Sequence, residues 1–179
     1  WYNNDAAFHS ILNPILDELN SHMVDGIIYI AGHARKINCF PENFGTPAVM
    51  AYAYDQNPMV SAVLPDDETS AYQMTRYLIR KGHKKIALLA GREDNLHTRR
   101  RLKGYQNALF DAQILYNPRL VRYVDWNKLS GYQETKRLLK EDITAIFCMS
   151  DTIAGGVYQY LDEQGLRAGR DVSVVGFDN

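Results

Sequence analysis

Cysteine is scarce in this chain, and long apolar runs and an excess of charge of one sign are lacking. Two cysteines among 179 residues cannot form a disulfide framework. Cys148 lies in an apolar strand pattern, so we expect it to act as a small hydrophobic side chain. A reducing compartment, the cytoplasm, is therefore the expected location. No stretch approaches the roughly 20 apolar residues that cross a bilayer, and the polar start WYNNDAAF is unlike a signal peptide. No membrane partner is expected.

The charge balance offers no electrostatic footprint for a nucleic acid or an anionic membrane. The 20 basic and 21 acidic residues give a formal net charge of -1, and no run of five like charges occurs. The densest basic cluster, Arg99 to Arg101, has by itself a composition typical of a solvated helix start. Composition therefore gives no reason to expect DNA or RNA binding by this segment.

Patterns for metal, nucleotide and acid–base chemistry are also missing. The histidines lack HxH and HxxxH spacing and have no nearby cysteine, and no glycine-rich phosphate loop occurs. Asp66, Asp67 and Glu68 are expected to mark a helix N-terminus, where acidic side chains satisfy free amides and complement the helix dipole. We therefore predict no catalytic residue, metal or cofactor. The five histidines are expected at surface or cap positions: His9, His22, His33, His83 and His97.

A hydrophobic content of 46% is enough for a sizeable core, and the residue pattern predicts its organisation. From residue 66 onward, strand and helix patterns alternate, as in a parallel sheet covered by helices. Gly82 is placed to end the first of these helices in a left-handed conformation. Gly155 and Gly156 should let a later helix pack closely on the sheet. The strands are predicted at 85–90, 119–124, 143–148 and 172–177, all parallel in one sheet.

The first 64 residues are less regular. An apolar stripe from Phe8 to Leu19 predicts a helix, in which Pro14 either follows Asn13 as the first helical residue or produces a kink. A turn is predicted at DQNP, between the second and third strands of this part. The three strands are predicted at 26–31, 46–54 and 59–64.

Two apolar strands stop abruptly at small or acidic polar residues. AIFCM is followed by Ser150 and Asp151, and VSVVGF is followed by Asp178 and Asn179. Buried parallel strands deliver side chains to a cleft at their carboxyl ends. A ligand site is therefore expected at these strand ends.

Six motifs occur in order along nearly the whole chain: VDGIIYI (24–30), RKGHKKIALLAG (80–91), RLKGY (101–105), DWNKLSGY (125–132), SDTIAGG (150–156) and VSVVGFDN (172–179). Together they resemble the sugar-binding core of the LacI/GalR family of bacterial transcription regulators. The resemblance implies an α/β fold of the periplasmic-binding-protein-like type I, with doubly wound parallel sheets in two lobes. Residues 1–64 would form a partial N-terminal lobe, and residues 65–179 the C-terminal lobe.

The resemblance also implies that the chain is a fragment. The family's DNA-reading headpiece and hinge helix, the first elements of the N-terminal lobe and everything after the GFDN strand have no counterpart here. The incomplete N-terminal part should then expose apolar sheet surface unless another chain or a swapped segment covers it.

The same resemblance assigns ligand-binding roles to five residues. Arg101 falls where the family's arginine holds adjacent sugar hydroxyls in its planar fork. A surface salt bridge is the alternative role, and Arg99 and Arg100 are alternative residues for the same position. Asp178 falls where an aspartate accepts hydrogen bonds from those hydroxyls, and it could also hold Arg101 in place. Trp126 matches the ring that faces the sugar, although it could equally be a hydrophobic staple. Ser150, where the family commonly has asparagine, could bind ligand or cap a helix. Tyr52 corresponds loosely to a polar contact from the N-terminal lobe.

The function implied by this resemblance is effector sensing by a sugar-responsive, DNA-binding transcriptional regulator. Sugar would close the two lobes of each protomer in a homodimer and so change operator binding, through a headpiece absent from this chain. Two alternatives stay open. One is a secreted sugar-binding protein of an ABC transporter, which shares the fold. The other is an α/β sugar-processing enzyme, which needs a nucleophile or metal arrangement that the sequence does not supply.

Overall fold

The computed structural model describes residues 5–32 and 36–178, which form two compact units divided between Pro65 and Asp66. Each unit has hydrophobic core of its own. Two predictions fall outside the described residues: the surface or cap position of His33 and the place of Asn179 after the last strand.

The described residues of the first unit form one helix and five short strands. Its elements are α1 (Asp5–Ser21), β1 (Ile27–Ile30), β2 (Lys36–Ile37), β3 (Ala48–Ala51), β4 (Tyr54–Asp55) and β5 (Ser61–Val63). The strands form a parallel sheet in the order β1-β3-β5 and a separate parallel pair, β2-β4. The apolar stripe of α1 contributes Leu12 and Leu16 to the core of this unit.

The structure decides one open alternative for the first unit and overturns one prediction. The helix α1 continues through Pro14, so of the two possibilities for this proline the helix does not begin there. The predicted strand 46–54 is interrupted, because Tyr52 adopts a left-handed conformation with a φ of 64° between β3 and β4. The two-residue strand β2 was not predicted, since it is too short to carry a periodic pattern.

One face of the three-stranded sheet is apolar and exposed. In the strand register, Ile28 lies opposite Val49, and Ile30 lies opposite Ala51, which pairs in turn with Val63. Ile28 and Ile30 are 73% and 74% exposed. This agrees with the uncovered apolar sheet surface that the sequence predicts.

The second unit alternates helices and strands along its whole length. Its elements are α2 (Asp67–Arg80), β6 (Ile86–Ala90), α3 (Leu96–Asp111), β7 (Val121–Tyr123), α4 (Lys128–Leu138), β8 (Ala145–Cys148), α5 (Asp151–Glu163) and β9 (Ser173–Val175). Its strands are all parallel, in the order β7-β6-β8-β9. The predicted single parallel sheet is confirmed. Arg119 and Leu120, predicted as the start of a strand, instead belong to the short 3-10 turn Pro118–Leu120.

The core of the second unit lies on both faces of this sheet. Every residue of β6 and β8 is buried, since helices cover the sheet on both sides. One core cluster joins the sheet to α4 and α5 through side chains such as Leu138 and Val157, and the other joins it to α2 and α3 through Leu78 and Tyr105. Cys148 is fully buried in the first cluster, as expected of a small hydrophobic side chain.

Glycines bring the paired helices of this unit close together. A Cβ on Gly104 of α3 would lie 2.1 Å from the backbone oxygen of Glu68 in α2. A Cβ on Gly156 of α5 would lie 2.0 Å from the backbone oxygen of Lys128 in α4, and Gly155 also faces Lys128. Gly155 and Gly156 therefore pack against the helix α4. The prediction that they let α5 pack closely on the sheet is wrong.

Polar residues begin the helices around the sheet, and a glycine follows the end of α2. Asp66 caps α2 with its carboxylate, as predicted, and Ser150 caps α5. Gly82 has a φ of 96°, the left-handed conformation predicted for it. Asp67 and Glu68 lie in the first turn of α2, as predicted. The Asp67 carboxylate, however, binds two side chains of α3 and not the free amides of its own helix.

Candidate functional site

The candidate site lies at the carboxyl-terminal edge of the four-stranded sheet. In a parallel sheet all strands end at the same edge, where the following loops can hold a ligand. Here β6 is followed by Gly91, β8 by Met149 and Ser150, and β9 by a loop that contains Phe177 and Asp178. Four of the five predicted binding residues belong to this unit.

Arg101 is the buried member of the arginine cluster at 99–101. It lies on α3 and is only 4% exposed, so it does not belong to a solvated helix start. Its Nε donates to Asp67 Oδ1 at 2.7 Å, and its Nη1 donates to the backbone oxygen of Met149. Its guanidinium carbon lies 3.5 Å from the centre of the Phe177 ring. Nη2 has no acceptor among the described residues.

Asp67 and His97 complete the surroundings of Arg101, and sequence reasoning missed both. The side chain of Asp67 is 1% exposed, and its Oδ2 lies 2.6 Å from His97 Nδ1. Burial disfavours the charged form of Asp67, but the hydrogen bonds from His97 and Arg101 outweigh it, and the pKa of Asp67 lies below its ordinary value. Asp67 is therefore ionised at neutral pH. His97 is buried in the first turn of α3, so its predicted surface or cap position is wrong.

Asp178 lies in the same electrostatic neighbourhood. It is exposed, and its φ of 113° is unusual for a residue other than glycine. Desolvation raises the pKa of its carboxyl above the ordinary value; Arg101 opposes the rise, and the carboxylates of Asp151 and Asp67 add to it. No hydrogen bond joins Asp178 to Arg101 in the described part of the chain. The expectation that Asp178 holds the guanidinium is therefore wrong, and Asp67 holds it.

Ser150 and Asp151 open α5 directly after β8. The Ser150 hydroxyl accepts from the amide of Ile153 at 3.2 Å, and Ser150 is 6% exposed. The structure thus gives Ser150 the cap role, and its contact with a ligand stays a prediction. Asp151 is exposed, and its Oδ1 would lie 1.9 Å from a Cβ on Gly176. Its carboxylate therefore rests against the backbone just after β9 and adds negative charge to the edge.

Trp126, in the loop between β7 and α4, covers the end of β6. A Cβ on Gly91 would lie 1.9 Å from Trp126 Cζ2, so only glycine leaves room for the indole ring there. The ring is half-buried and packs against the core clusters of both sheet faces. The structure thus places this indole at the sheet edge that also carries Arg101 and Asp178, and its contact with a ligand stays a prediction.

Tyr52 is the one predicted site residue in the first unit. Its side chain is 49% exposed, and its backbone N–H donates to the oxygen of Val63 at 3.0 Å. Its left-handed backbone places it in the bend between two strands. Its binding role stays a prediction.

A groove of about 920 Å³ also lies in the second unit. Its walls come from α3, the end of β7 and α4, and they include Leu102, Tyr123 and Asp125. Neither Arg101 nor Asp178 lines it. The groove therefore does not enclose Arg101. Its lining includes Asp125, the residue that precedes Trp126 in the sequence.

No group of three or more His, Cys, Asp or Glu residues within 5–32 and 36–178 is placed to hold a metal ion. No helix in those ranges is both long and apolar enough to cross a membrane.

A parallel α/β unit that gathers an arginine, carboxylates and an indole at the carboxyl edge of its sheet is typical of a lobe of a small-molecule binding protein. Comparison with known proteins gives the family. The family model described as "Periplasmic binding proteins and sugar binding domain of LacI family" matches residues 5–179, and the chain belongs to this family. The predicted periplasmic-binding-protein-like type I fold is confirmed.

Three similar proteins are transcription regulators. The ribose operon repressor of Haemophilus influenzae is 32% identical over 170 residues, which cover 94% of this chain and 51% of the repressor. The lactose operon repressor of Escherichia coli is 36% identical over 135 residues, covering 74% of this chain and 37% of the repressor. A LacI family transcriptional regulator from Enterococcus faecium, solved with bound ribose, has a TM-score of 0.73 at 27% identity and covers 92% of this chain and 62% of its own. This chain spans about half the length of the curated relatives it matches.

Proposed function

We propose that this chain is the effector-binding core of a sugar-responsive transcriptional regulator of the LacI type. The observation that carries the proposal is the fixed guanidinium of Arg101, which is held by Asp67, Met149 and Phe177. The Nη2 atom of Arg101 has no acceptor among the described residues, and Arg101 lies at the sheet edge that also carries Asp178.

The chemistry of this edge suits a neutral monosaccharide or small glycoside. A sugar offers pairs of hydroxyls and one apolar ring face, so its site needs polar groups that take hydroxyls and an aromatic plate. Arg101 donates to one hydroxyl of a pair, Asp178 accepts from another, and Trp126 covers the apolar face. Ser150 and Tyr52 are additional polar contacts in this proposal.

Ribose is the first candidate ligand. One relative is named as a ribose operon repressor, and one similar structure was solved with bound ribose. The lactose operon repressor among the relatives makes galactosides the second candidate class.

The proposed coupling runs from the sugar to DNA through lobe closure. Sugar stabilises the closed arrangement of the two lobes, and in a homodimer this changes the spacing of DNA-binding headpieces that lie outside these residues. The net charge of -1 agrees with a segment that does not itself bind DNA. The protein would act in the cytoplasm, where its operator lies.

No bond is made or broken in this function. The named relatives are repressors, not enzymes. No contact among the described residues favours the secreted transporter protein or the sugar-processing enzyme over the regulator.

The proposal is tested by measuring how sugars change DNA binding. A duplex selected from random sequences by the full-length protein is labelled, and its affinity is measured by fluorescence anisotropy with ribose, galactose, glucose or lactose. One sugar should change the affinity by about 5- to 150-fold, the usual range of allosteric coupling. Arg101→Ala should abolish the change, whereas Arg99→Ala, which removes the same charge from an exposed site, should keep it.

Two results contradict the proposal. One is a full-length protein that selects no duplex; the other is a sugar effect of equal size in the wild type and in Arg101→Ala. The 179-residue chain alone should show no sequence-selective DNA binding at physiological salt.

A further inference from the structure

We propose that Asp67 is a positioning residue that sets the ligand class of this site: it fixes and neutralises Arg101, so that the site accepts neutral ligands and rejects anionic ones. This inference rests on the proposed function, since it concerns the same site.

The positioning part follows from the contacts of the guanidinium. Asp67 Oδ1 holds Nε at 2.7 Å, the backbone oxygen of Met149 holds Nη1, and the Phe177 ring lies against one face. Together they fix the plane of the guanidinium, which leaves Nη2 as the nitrogen without an acceptor in the described chain. An arginine fixed in this way presents one donor edge in a defined direction, at little entropy cost on binding.

The selectivity part follows from the charges around Arg101. An anion usually binds arginine because the positive charge of the guanidinium is not neutralised by another group. Here the Asp67 carboxylate already forms an ion pair with the guanidinium of Arg101. Asp151 and Asp178 add two more carboxylates to this edge. The edge thus carries three carboxylates, one guanidinium and one imidazole, that of His97. The cluster is net negative even when the imidazole is protonated.

The ionisation of Asp67 supports this charge assignment. Burial favours the neutral acid, yet the two hydrogen bonds hold its pKa below the ordinary value. The ion pair therefore persists at neutral pH. A phosphate ester, which carries a charge of about -1.5 to -2, meets like charge at this edge, whereas a neutral polyol does not.

The test compares anionic and neutral probes on the full-length protein. Inorganic phosphate and the pairs ribose with ribose 5-phosphate and glucose with glucose 6-phosphate are titrated by calorimetry into the wild type, Asp67→Asn and Glu68→Gln. Glu68→Gln is the matched control, because it removes the same charge from the neighbouring residue, whose partner is Lys103 at 3.0 Å. Thermal unfolding checks that each variant is folded.

Asp67→Asn should gain affinity for inorganic phosphate by about tenfold or more over the wild type, because like-charge repulsion is removed. Glu68→Gln should gain much less. Equal gains in the two variants, or no gain in either, overturn the inference. If Asp67→Asn does not fold, the wild type still decides: binding of a sugar phosphate as tight as that of its neutral sugar overturns the inference, and a preference of about tenfold for the neutral sugar supports it.

Failure of this inference is distinguishable from failure of the proposed function. If a neutral sugar binds through Arg101 but Asp67→Asn leaves anion affinity unchanged, only the inference fails. If no sugar binds the wild type but Asp67→Asn gains phosphate affinity over Glu68→Gln, the proposed function fails and the role of Asp67 stands.

Discussion

At the scale of single residues, position on one helix decides which arginine lies at the site. Arg99 is exposed, and its Nη2 donates to the backbone oxygen of Asp94 at 2.8 Å. Arg101 follows two residues later, about 200° around the helix axis. It therefore points to the opposite side of α3, where it is only 4% exposed to solvent and contacts the sheet edge at Met149. Composition alone groups these arginines as one solvated cluster. The RLKGY motif favoured Arg101 but left Arg99 and Arg100 as alternatives, and the burial of Arg101 decides between them.

The partners of Arg101 could not be predicted from the sequence. Asp67 lies 34 residues before Arg101 and 30 before His97, and no local pattern encodes such contacts. An acidic residue at the start of a helix also has a sufficient local explanation, which is correct for Asp66. The buried role of Asp67 became visible only with the packing of α2 on α3.

The lowered pKa of Asp67 predicts a loss of stability in acid. A carboxyl group whose pKa is lower in the folded than in the unfolded state stabilises the fold at pH values above its ordinary pKa, which is 3.8 for Asp67. This contribution is lost as the pH falls through the folded-state pKa. The melting temperature of the wild type should therefore exceed that of Asp67→Asn at neutral pH, and the gap should narrow below about pH 4. Calorimetric unfolding from neutral to acidic pH measures the gap. A gap independent of pH would contradict this role for Asp67.

At the scale of elements, buried strands were predicted well and short exposed ones poorly. The strands β6 and β8 are buried along their whole length, so their sequences are continuous apolar runs. No strand in the described part of the first unit is buried along its whole length. Tyr52 also interrupts one apolar pattern through a backbone conformation that its residue type does not signal. The packing of Gly156 on α4 also depends on a neighbouring helix that the local sequence cannot specify.

Substitution of Gly91 should disturb the site through Trp126. A Cβ at Gly91 would lie 1.9 Å from Cζ2 of the indole, so the ring must move in Gly91→Ala. We expect the unfolding free energy to fall by about 1–3 kcal/mol, the usual cost of overpacking, together with a shift in Trp126 fluorescence and weaker sugar binding. Fluorescence is read in a Trp1→Phe background, because the chain has two tryptophans.

Gly45→Ala is the matched control for this substitution, since nothing lies within 4 Å of a Cβ at Gly45. It should leave both the fluorescence and the sugar affinity unchanged. An unaltered Trp126 spectrum in Gly91→Ala would show that the ring does not lie on this glycine.

At the scale of the whole molecule, the two units differ in how completely their sheets are covered. The second unit covers both faces of its parallel sheet with helix pairs and gathers four of the predicted site residues. The first unit leaves Ile28 and Ile30 exposed on one sheet face. Sugar binding is therefore best measured in the full-length protein.

The most direct test of the sugar site is calorimetric titration of neutral monosaccharides, ribose first, into the full-length protein and its variants. We expect one sugar to bind the wild type and Arg99→Ala alike. Arg101→Ala should weaken binding by about 2–5 kcal/mol, because it removes a charged partner from a buried site, and Asp178→Ala should weaken it as well. A sugar that binds the wild type, Arg101→Ala and Asp178→Ala with equal affinity would contradict the assignment of this site.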